Sequence, residues 1–424
     1  MRNYRYGVLG FICLLGTILY LDRVAISVAG PHIQEELSLS PEMWGWVVGV
    51  FTISYALFEV PTGRMGDRTG PRRVLTRVVL WWSAFTAFTG LATNYYVLLV
   101  TRFLFGAGEA GAFPNAGITI SRWFPSGQRA RALGCFLMST QIGGATAPLI
   151  LVPMQIYFGW RVAFFFLGVI GVVWAGAWFW WFRDSPAEKA GVSQREIDEI
   201  SVTSHPETHK LPWSVVLRRV NLWAAFLVVA CYGFCLYFFV SWLHTYMVKG
   251  RGFTEETLIF SAGPPILGAI GNLSGGFISD ALCRKYGLKA GRRTVGVIGM
   301  GGAAVFMAAA IITSDKYLSL FFLALVYAGI TLQQSSFVAV LLDIGKSYVG
   351  GVVGVVNMVA SGAAFVFSVS FGYFVTWFGS YDLALIPLVI LLSLGAVAWL
   401  RLDASEELIP DAIVLIAVPE PATA

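Results

Sequence analysis

Gly63-Arg64-Met65-Gly66-Asp67-Arg68-Thr69-Gly70-Pro71-Arg72-Arg73 joins the second long apolar stretch of the chain to the third. A related pattern, Gly275-Gly276-Phe277-Ile278-Ser279-Asp280 followed by pairs of basic residues, comes after the eighth apolar stretch. Asp67 and Asp280 lie 213 residues apart in a chain of 424 residues. A pattern that recurs at half the chain length indicates two related halves that arose by duplication.

Each copy of this loop combines glycines with an aspartate and several arginines. The glycines permit close helix approach and a tight turn, and the aspartate can pair with arginines on the neighbouring helix. We predict that the loop clamps one end of the molecule in one conformation. The alternative is a solvated basic loop that only sets topology. The residues assigned to this gating loop are Gly63, Asp67, Arg68, Arg72 and Asp280.

Composition sets the class of the protein, because 57% of the residues are hydrophobic and only 12% are charged. A soluble domain carries about 25% charged residues. Apolar stretches of spanning length are too long for barrel strands, so they predict membrane helices. Twelve are visible, at 7–28, 44–64, 73–92, 96–119, 130–155, 161–182, 221–247, 258–280, 293–312, 317–342, 350–377 and 382–401. The predicted fold is an all-α polytopic membrane protein with two pseudo-symmetric six-helix bundles.

The distribution of basic residues predicts the orientation of these helices. If the N-terminus is cytoplasmic, the cytoplasmic segments hold 23 of the 29 Lys and Arg residues and the outer segments hold four. This bias favours cytoplasmic termini, and the membrane is expected to be a bacterial-type inner membrane. It also accounts for the net charge of +5 without a nucleic-acid partner, because the charges face the inner leaflet. The first apolar stretch fits a spanning helix better than a cleaved signal peptide.

The longest polar break divides the chain. We predict an N-terminal bundle at 1–182, a cytoplasmic central loop at 183–220, a C-terminal bundle at 221–401 and a mobile cytoplasmic tail at 402–424. The five cysteines lie in or beside apolar stretches and are interpreted as core residues, with no disulfide framework. We expect no metal and no cofactor, and the protein is expected to be a monomer.

Ionisable side chains at membrane depth are rare and usually functional. They are Asp22, Arg23, Glu59, Arg102 and Glu109. Arg23 is the candidate for holding an anion, because arginine stays charged and can bind a carboxylate through two hydrogen bonds. Asp22 and Glu109 are the candidate proton carriers, since burial and neighbouring charges tune a carboxylate. Asp22 is a possible partner of Arg102. The alternative is a static network that stabilises the first and fourth helices.

Several motifs carry a resemblance to a known family. They are Tyr20-Leu-Asp22-Arg23 in the first predicted helix, Arg102 to Glu109 with Phe113-Pro114 in the fourth, Trp123-Phe124-Pro125 with Arg129 and Arg131 after it, Gly159-Trp160-Arg161 before the sixth, Ser241-Trp242-Leu243 in the seventh, and Gly354 with Asn357 in the eleventh. Together with the gating loop, they resemble the anion:cation symporter family of the major facilitator superfamily. The resemblance spans the chain to about residue 401.

The resemblance implies roles for individual residues. In sugar-acid symporters of this family, the arginine of the first helix contacts the substrate carboxylate, which places Arg23 in that role. The aspartate before it and the glutamate of the fourth helix carry protons, which gives Asp22 and Glu109, with Arg102 as partner of the aspartate. The other implied substrate-binding residues are Tyr20, Tyr55, Gln141 and Asn357.

The roles of two ionisable residues, Glu59 and His244, are ambiguous. Glu59 lies near the cytoplasmic end of the second helix, and pairing with Arg64 or with Arg129 and Arg131 is favoured over a role in transport. His244 follows Trp242-Leu243 at a position where the family commonly has proline. It is interpreted as a tolerated histidine at the outer membrane interface, with pH sensing as the alternative.

The resemblance and the buried charges together predict proton-coupled symport of a small organic anion by alternating access. The predicted substrate is a sugar acid, namely an aldonate, an aldarate or a hexuronate. The expected partners are this anion, protons and membrane lipid. An organic-anion exchanger or exporter for an amino-acid-like or aromatic acid is the alternative within transport. A sensor would need an added signalling domain, and an enzyme would need a nucleophile–base pair or a metal cluster, so both are disfavoured.

Overall fold

A computed structural model describes residues 4–201, 216–345, 349–406 and 408; a few side chains within these ranges, including that of Asp67, lie outside the description. The described chain is almost entirely helical, and no strand occurs in it. The helices, in order, are α1 (Tyr4–Val28), α2 (Gly30–Glu36), α3 (Pro41–Thr69), α4 (Pro71–Thr89), α5 (Tyr95–Glu109), α6 (Ala112–Trp123), α7 (Ser126–Phe158), α8 (Trp160–Trp181), α9 (Gln194–Ser201), α10 (Val220–Gly250), α11 (Glu255–Tyr286), α12 (Leu288–Ile312), α13 (Lys316–Gly345), α14 (Val349–Phe378) and α15 (Leu383–Trp399).

Ten helical segments in the described part of the chain are long and apolar enough to cross a membrane, with α5 and α6 counted together. Two further helices complete the twelve predicted spans. The helix α4 carries Arg72, Arg73 and Arg77 in its first two turns, and α15 is shorter than the other apolar helices. The predicted all-α polytopic fold is therefore confirmed.

The packing of the helices has the pseudo-symmetry that the repeat predicts. In the first half α1 packs on α7, α3 on α5 and α4 on α8; in the second half α10 packs on α14, and α13 packs on α11 and α12. The main contacts between the halves are those of α3 with α14 and of α7 with α11. The first contact joins the second predicted span to the eleventh, and the second contact joins the fifth span to the eighth. The repeat relates the second span to the eighth and the fifth to the eleventh, so the two contacts are equivalent.

The repeated loop is shorter than its sequence suggests. Between α3 and α4 a single residue, Gly70, makes the turn with a φ of +83°, and Gly287 makes the matching turn between α11 and α12 with a φ of +84°. Only glycine adopts this backbone conformation without steric cost. Gly70 follows Asp67 by three residues, whereas Gly287 follows Asp280 by seven. The second copy thus has about one additional helical turn after its aspartate.

The described parts of the predicted central loop and tail contact the bundles. The Glu196 carboxylate of α9 accepts a hydrogen bond from the backbone N–H of Arg5 at 3.1 Å, and Glu199 pairs with the Arg5 guanidinium at 3.0 Å. Beyond α15, Asp403 pairs with Lys289 at 2.6 Å. Burial of Asp403 favours its neutral form, but the Lys289 ammonium and the hydrogen bonds from Ser405 together outweigh burial and lower the pKa of Asp403 to about 2. Residues 202–215 and 409–424 lie outside the description, and the predicted domain boundaries stay predictions.

Candidate substrate and coupling site

The four charges predicted to act together lie on α1 and α5, inside the first half. Asp22, Arg23, Arg102 and Glu109 are all buried, each with less than a tenth of its surface exposed. Removing a charge from water is costly unless a partner compensates for it, so their pairing decides what the site can do.

Arg23 pairs with Glu109. The Arg23 Nε donates a hydrogen bond to the Glu109 Oε1, and both side chains are buried. One guanidinium nitrogen of Arg23 and the second oxygen of Glu109 have no hydrogen-bond partner among the described residues. The pair therefore retains one free donor and one free acceptor, which a bound anion and a bound proton can use.

Aromatic rings surround the Arg23 guanidinium. Tyr55 is nearest, with 4.6 Å between its ring centroid and the guanidinium carbon, and Tyr20 lies at 5.4 Å. Phe51 and Phe113 lie at 5.5 and 5.8 Å. Rings at this range attract a cation through their negative faces and keep water away from it. The structure thus brings four of the predicted site residues together: Arg23, Glu109, Tyr20 and Tyr55.

Asp22 and Arg102 do not form the ion pair that the sequence suggests. No described pair of oppositely charged atoms joins them within 4.0 Å, and neither carboxylate oxygen of Asp22 has a hydrogen-bond partner in the described chain. Asp22 points about 100° away from Arg23 around α1 and faces the Trp82 indole. The Arg102 guanidinium instead lies over the rings of Phe51 and Phe105, at 5.0 and 4.5 Å.

A break in the fourth predicted helix positions Glu109. The sequence predicts one continuous helix at 96–119, but the structure ends α5 at Glu109 and begins α6 at Ala112. Pro114 explains the break, because proline has no N–H for the carbonyl of Ala110 and its ring clashes with that carbonyl. Glu109 is therefore the last residue of α5. The signal was visible in the sequence as Phe113-Pro114.

A narrow cavity lies between the two halves. The first half contributes Tyr20 and Gln141, both predicted to bind substrate, and the second contributes His244, Ser261 and Tyr327. Tyr20 belongs to this wall and also to the ring cluster around Arg23, so it connects the cavity to the Arg23–Glu109 pair. Asn357 of α14 is exposed and does not line the cavity in this conformation.

His244 lies inside the protein, between the two halves, and its interpretation as a tolerated interfacial histidine stays a prediction. Its ring is buried, with Nδ1 at 2.9 Å from Ser27 Oγ of α1 and Nε2 at 2.8 Å from Ser261 Oγ of α11. It lies between two π-helical turns of α10, Phe238–Trp242 and Tyr246–Gly250. Such turns widen a helix and are frequent at functional sites. Hydropathy alone could not indicate them.

The structure also revises the interpretation of Glu59. Among the described residues it forms no ion pair with Arg64, Arg129 or Arg131, and the cation that acts on its carboxylate is Arg23. Arg129 donates instead to the backbone carbonyl of Phe124, at 2.9 Å. Glu59 thus belongs to the surroundings of the Arg23 site.

The gating-loop residues that are described make contacts only within their own halves. Arg72 donates from Nε to the Phe179 carbonyl at 2.9 Å, and Asp280 pairs with Arg292 at 2.9 Å. Gly63 lies against Pro114 of α6, and Arg68 is exposed at the end of α3. The side chain of Asp67 lies outside the description. A clamp between the halves by this loop stays a prediction.

In the described part of the chain, the hydrogen bonds that join the halves all lie at the end opposite to the N-terminus of α1. Within the described ranges they connect residues 27–46 with residues 244–255 and 373–376. They include His32 Nε2 with Glu255 Oε1 at 2.5 Å, and Gln34 Nε2 with Thr245 Oγ1 at 2.9 Å. We call this set of contacts the seam. It closes the cavity on that side.

The comparisons with known proteins agree with this geometry. Residues 12–368 match the model of the Major Facilitator Superfamily. The chain belongs to that family. The predicted family, fold and class of protein, a membrane transporter rather than an enzyme, are confirmed.

Similar proteins carry transporter names. The chain is 34% identical to a probable sulfoacetate transporter of Cupriavidus necator, with 94% of each chain covered, and 31% identical to a hexuronate transporter of Bacillus subtilis, with 93% and 94% covered. It is 30% identical to a D-galactonate transporter of Escherichia coli, with 77% and 78% covered. A solved bacterial homologue of the human lysosomal transporter Spinster shares the fold, with a TM-score of 0.78, 21% identity, and 94% and 97% coverage.

Proposed function

We propose that this chain is a proton-coupled symporter of a small organic anion, a sugar acid, in a bacterial-type inner membrane. The observation that carries the proposal is the buried Arg23–Glu109 pair beside a cavity between the two halves. The names of the relatives, which include hexuronate and galactonate transporters, support the substrate class. The protein acts as a monomer in lipid, with both termini in the cytoplasm.

The pair couples the anion to the proton through one shared cation. Arg23 cannot serve Glu109 and a substrate carboxylate equally, because both compete for the same guanidinium. Protonation of Glu109 removes its charge and releases Arg23 for the substrate. Each ligand thereby favours binding of the other, and this linkage is reciprocal. Asp22, which has no hydrogen-bond partner in the described chain, is the second proton site.

The conformation fits one stage of alternating access. With the N-terminus in the cytoplasm, the seam lies on the outer side, so the cavity is closed to the outside. Uptake requires the seam to open, the anion and proton to bind, and the gating loop to close the other end. The residues proposed for that closure are Gly63, Asp67, Arg68, Arg72 and Asp280, and Asn357 joins the site when α14 moves.

Glu109→Gln tests the coupling. The amide keeps the size of the side chain but cannot release a proton, so a pH gradient should no longer drive accumulation, and the inside-to-outside substrate ratio in proteoliposomes should fall to about one. Counterflow, which needs binding but no net proton movement, should persist. The matched control is Glu256→Gln, because Glu256 is exposed. If the Glu109→Gln protein still concentrates substrate, Glu109 is not the coupling site.

The substrate class has its own test. Thermal-shift measurements on the purified protein with aldonates, aldarates, hexuronates and sulfoacetate should show stabilisation by a sugar acid, since ligand binding to the folded state raises its stability. Stabilisation by sulfoacetate alone would instead favour a short-chain sulfonate carrier. Wild-type counterflow without any response to a pH gradient would indicate an exchanger.

A further inference from the structure

The wall of the cavity that the second half contributes has a distinct chemistry. His244 joins Ser27 and Ser261 through its two ring nitrogens, at 2.9 and 2.8 Å. All three side chains are buried, and His244 and Ser261 line the cavity. A hydroxyl can donate or accept, and a neutral imidazole donates at one nitrogen and accepts at the other. This trio, His244 with Ser27 and Ser261, can therefore reorganise its hydrogen bonds around a polar ligand.

The trio lies close to the cation of the site. Ser27 follows Arg23 by four residues on α1, so the two share a face and are separated by about 6 Å along the helix axis. A small ligand can reach both. Among the described residues that line the cavity there is no lysine, arginine, aspartate or glutamate. Arg23 is not itself a lining residue but lies against the ring of Tyr20, so the site has a cation beside it at one end and uncharged hydrogen-bonding groups at the other.

The two ends of the site favour different chemical groups on a ligand. An anionic group at Arg23 gains a charge-assisted hydrogen bond. A second anionic group at the trio would leave water without meeting a cation, which is costly. A hydroxyl there would lose little, because the trio can both donate to it and accept from it. Once the halves separate and the Ser27–His244 hydrogen bond breaks, a ligand lacking any polar group at that end would leave the Nδ1 of His244 unsatisfied.

We propose that His244, supported by Ser27 and Ser261, is a specificity-determining residue that selects a hydroxyl-bearing monoanion over a dianion of the same length. This inference rests on the proposed sugar-acid function and narrows its substrate class to aldonates and hexuronates, with aldarates disfavoured. The bond from Ser27 to His244 also crosses the seam. A substrate hydroxyl takes over this bond when the halves separate.

D-galactonate and galactarate provide a matched pair of probes, because they differ only at one terminal carbon, a hydroxymethyl group in the first and a carboxylate in the second. Isothermal titration calorimetry on the purified full chain should show that the wild type binds D-galactonate at least tenfold more tightly than galactarate. In His244→Leu the ratio should fall below threefold, mainly through weaker binding of D-galactonate. His244→Gln, which keeps a donor and an acceptor, should retain most of the preference.

Ser261→Ala provides an independent variant if His244→Leu fails to fold, as judged by its melting temperature. It removes one partner of the ring and should reduce the preference at least threefold. The inference is overturned if the wild type binds galactarate as tightly as D-galactonate. It is also overturned if the preference survives in a folded His244→Leu protein or in Ser261→Ala. Either result leaves the proposed sugar-acid function standing. A wild type that binds neither sugar acid contradicts the proposed substrate class as well.

Discussion

Arg23 is held between one carboxylate and four aromatic rings, and this surrounding suits arginine in particular. The planar guanidinium can lie over rings while its N–H groups point outward in the ring plane. Tyr55 and Tyr20 occupy its faces and Glu109 one of its edges. The remaining edge carries the free donor that an incoming carboxylate would use.

Replacing Arg23 separates the effect of its charge from that of its shape. Arg23→Ala should abolish binding of a sugar acid, because it removes the cation and leaves Glu109 buried without a partner. Arg23→Lys keeps the charge but loses the planar contacts, which contribute about 1–2 kcal/mol when a cation is desolvated. Its dissociation constant should therefore rise about five- to thirtyfold.

Calorimetric titration of both variants checks this expectation. Arg77→Lys is the matched control, because Arg77 is exposed on α4 and its substitution should leave affinity unchanged. Wild-type affinity in Arg23→Ala would remove Arg23 from the substrate site. Equal affinities of Arg23→Lys and the wild type would show that the rings contribute nothing to anion binding.

At the scale of the elements, the position of α1 depends on how closely it approaches α7. A Cβ atom on Gly143 would lie 2.3 Å from the backbone carbonyl oxygen of Thr17, so no side chain fits there unless the helices separate. Arg23 lies less than two turns further along α1. The glycine of α7 thereby controls where the guanidinium lies relative to Glu109.

Gly143→Ala should therefore destabilise the protein and weaken substrate binding together. Overpacking of this kind costs about 1–3 kcal/mol, which lowers the melting temperature measurably. Gly134 of the same helix has open space around it, so Gly134→Ala is the control and should be neutral or stabilising, by up to about 1 kcal/mol. A Gly143→Ala protein with wild-type melting temperature and affinity would contradict the close packing of α1 on α7.

On the scale of the whole molecule, the seam decides which side of the cavity is closed. Its exposed polar pairs, such as His32 with Glu255, are individually weak, whereas the pairs of Ser27 with His244 and of Gln34 with Thr245 are buried. The close approach of α3 to α14 is harder to disturb. A Cβ atom on Gly45 would lie 2.9 Å from the carbonyl oxygens of both Ser368 and Val369.

Gly45→Leu should hold the seam open. The leucine side chain cannot fit against the α14 backbone, so the population should shift to the conformation that is open on the seam side, and transport should be lost while the fold is kept. Distances between spin labels placed on the two halves at that end should lengthen. Gly176→Leu, at an exposed position of α8 with open space around it, should change neither the distances nor transport. Unchanged distances in Gly45→Leu would show that this packing does not close the cavity.

Prediction from the sequence succeeded for some features of the molecule and failed for others. The helices and the duplication were predictable because lipid requires long apolar segments and because the loop motif recurs at half the chain length. The break after Glu109 was missed although Pro114 indicated it, since the apolar stretch continues through the break. The surroundings of Glu59 and His244 were not predictable, because the groups that act on them, Arg23 for the first and Ser27 with Ser261 for the second, lie on other helices or far along the chain.

By itself the sequence determined the class of protein, the number of spans, the repeat and the set of buried charges. These properties are local, since each depends only on whether a segment is long and apolar enough to lie in lipid and on the charges that it carries there. Only the tertiary structure decided that Arg23 pairs with Glu109 while Asp22 and Arg102 stay apart, and that His244 faces the cavity. Pairing depends on the rotation and separation of packed helices, which close glycine contacts and π-helical turns set and which no single segment encodes.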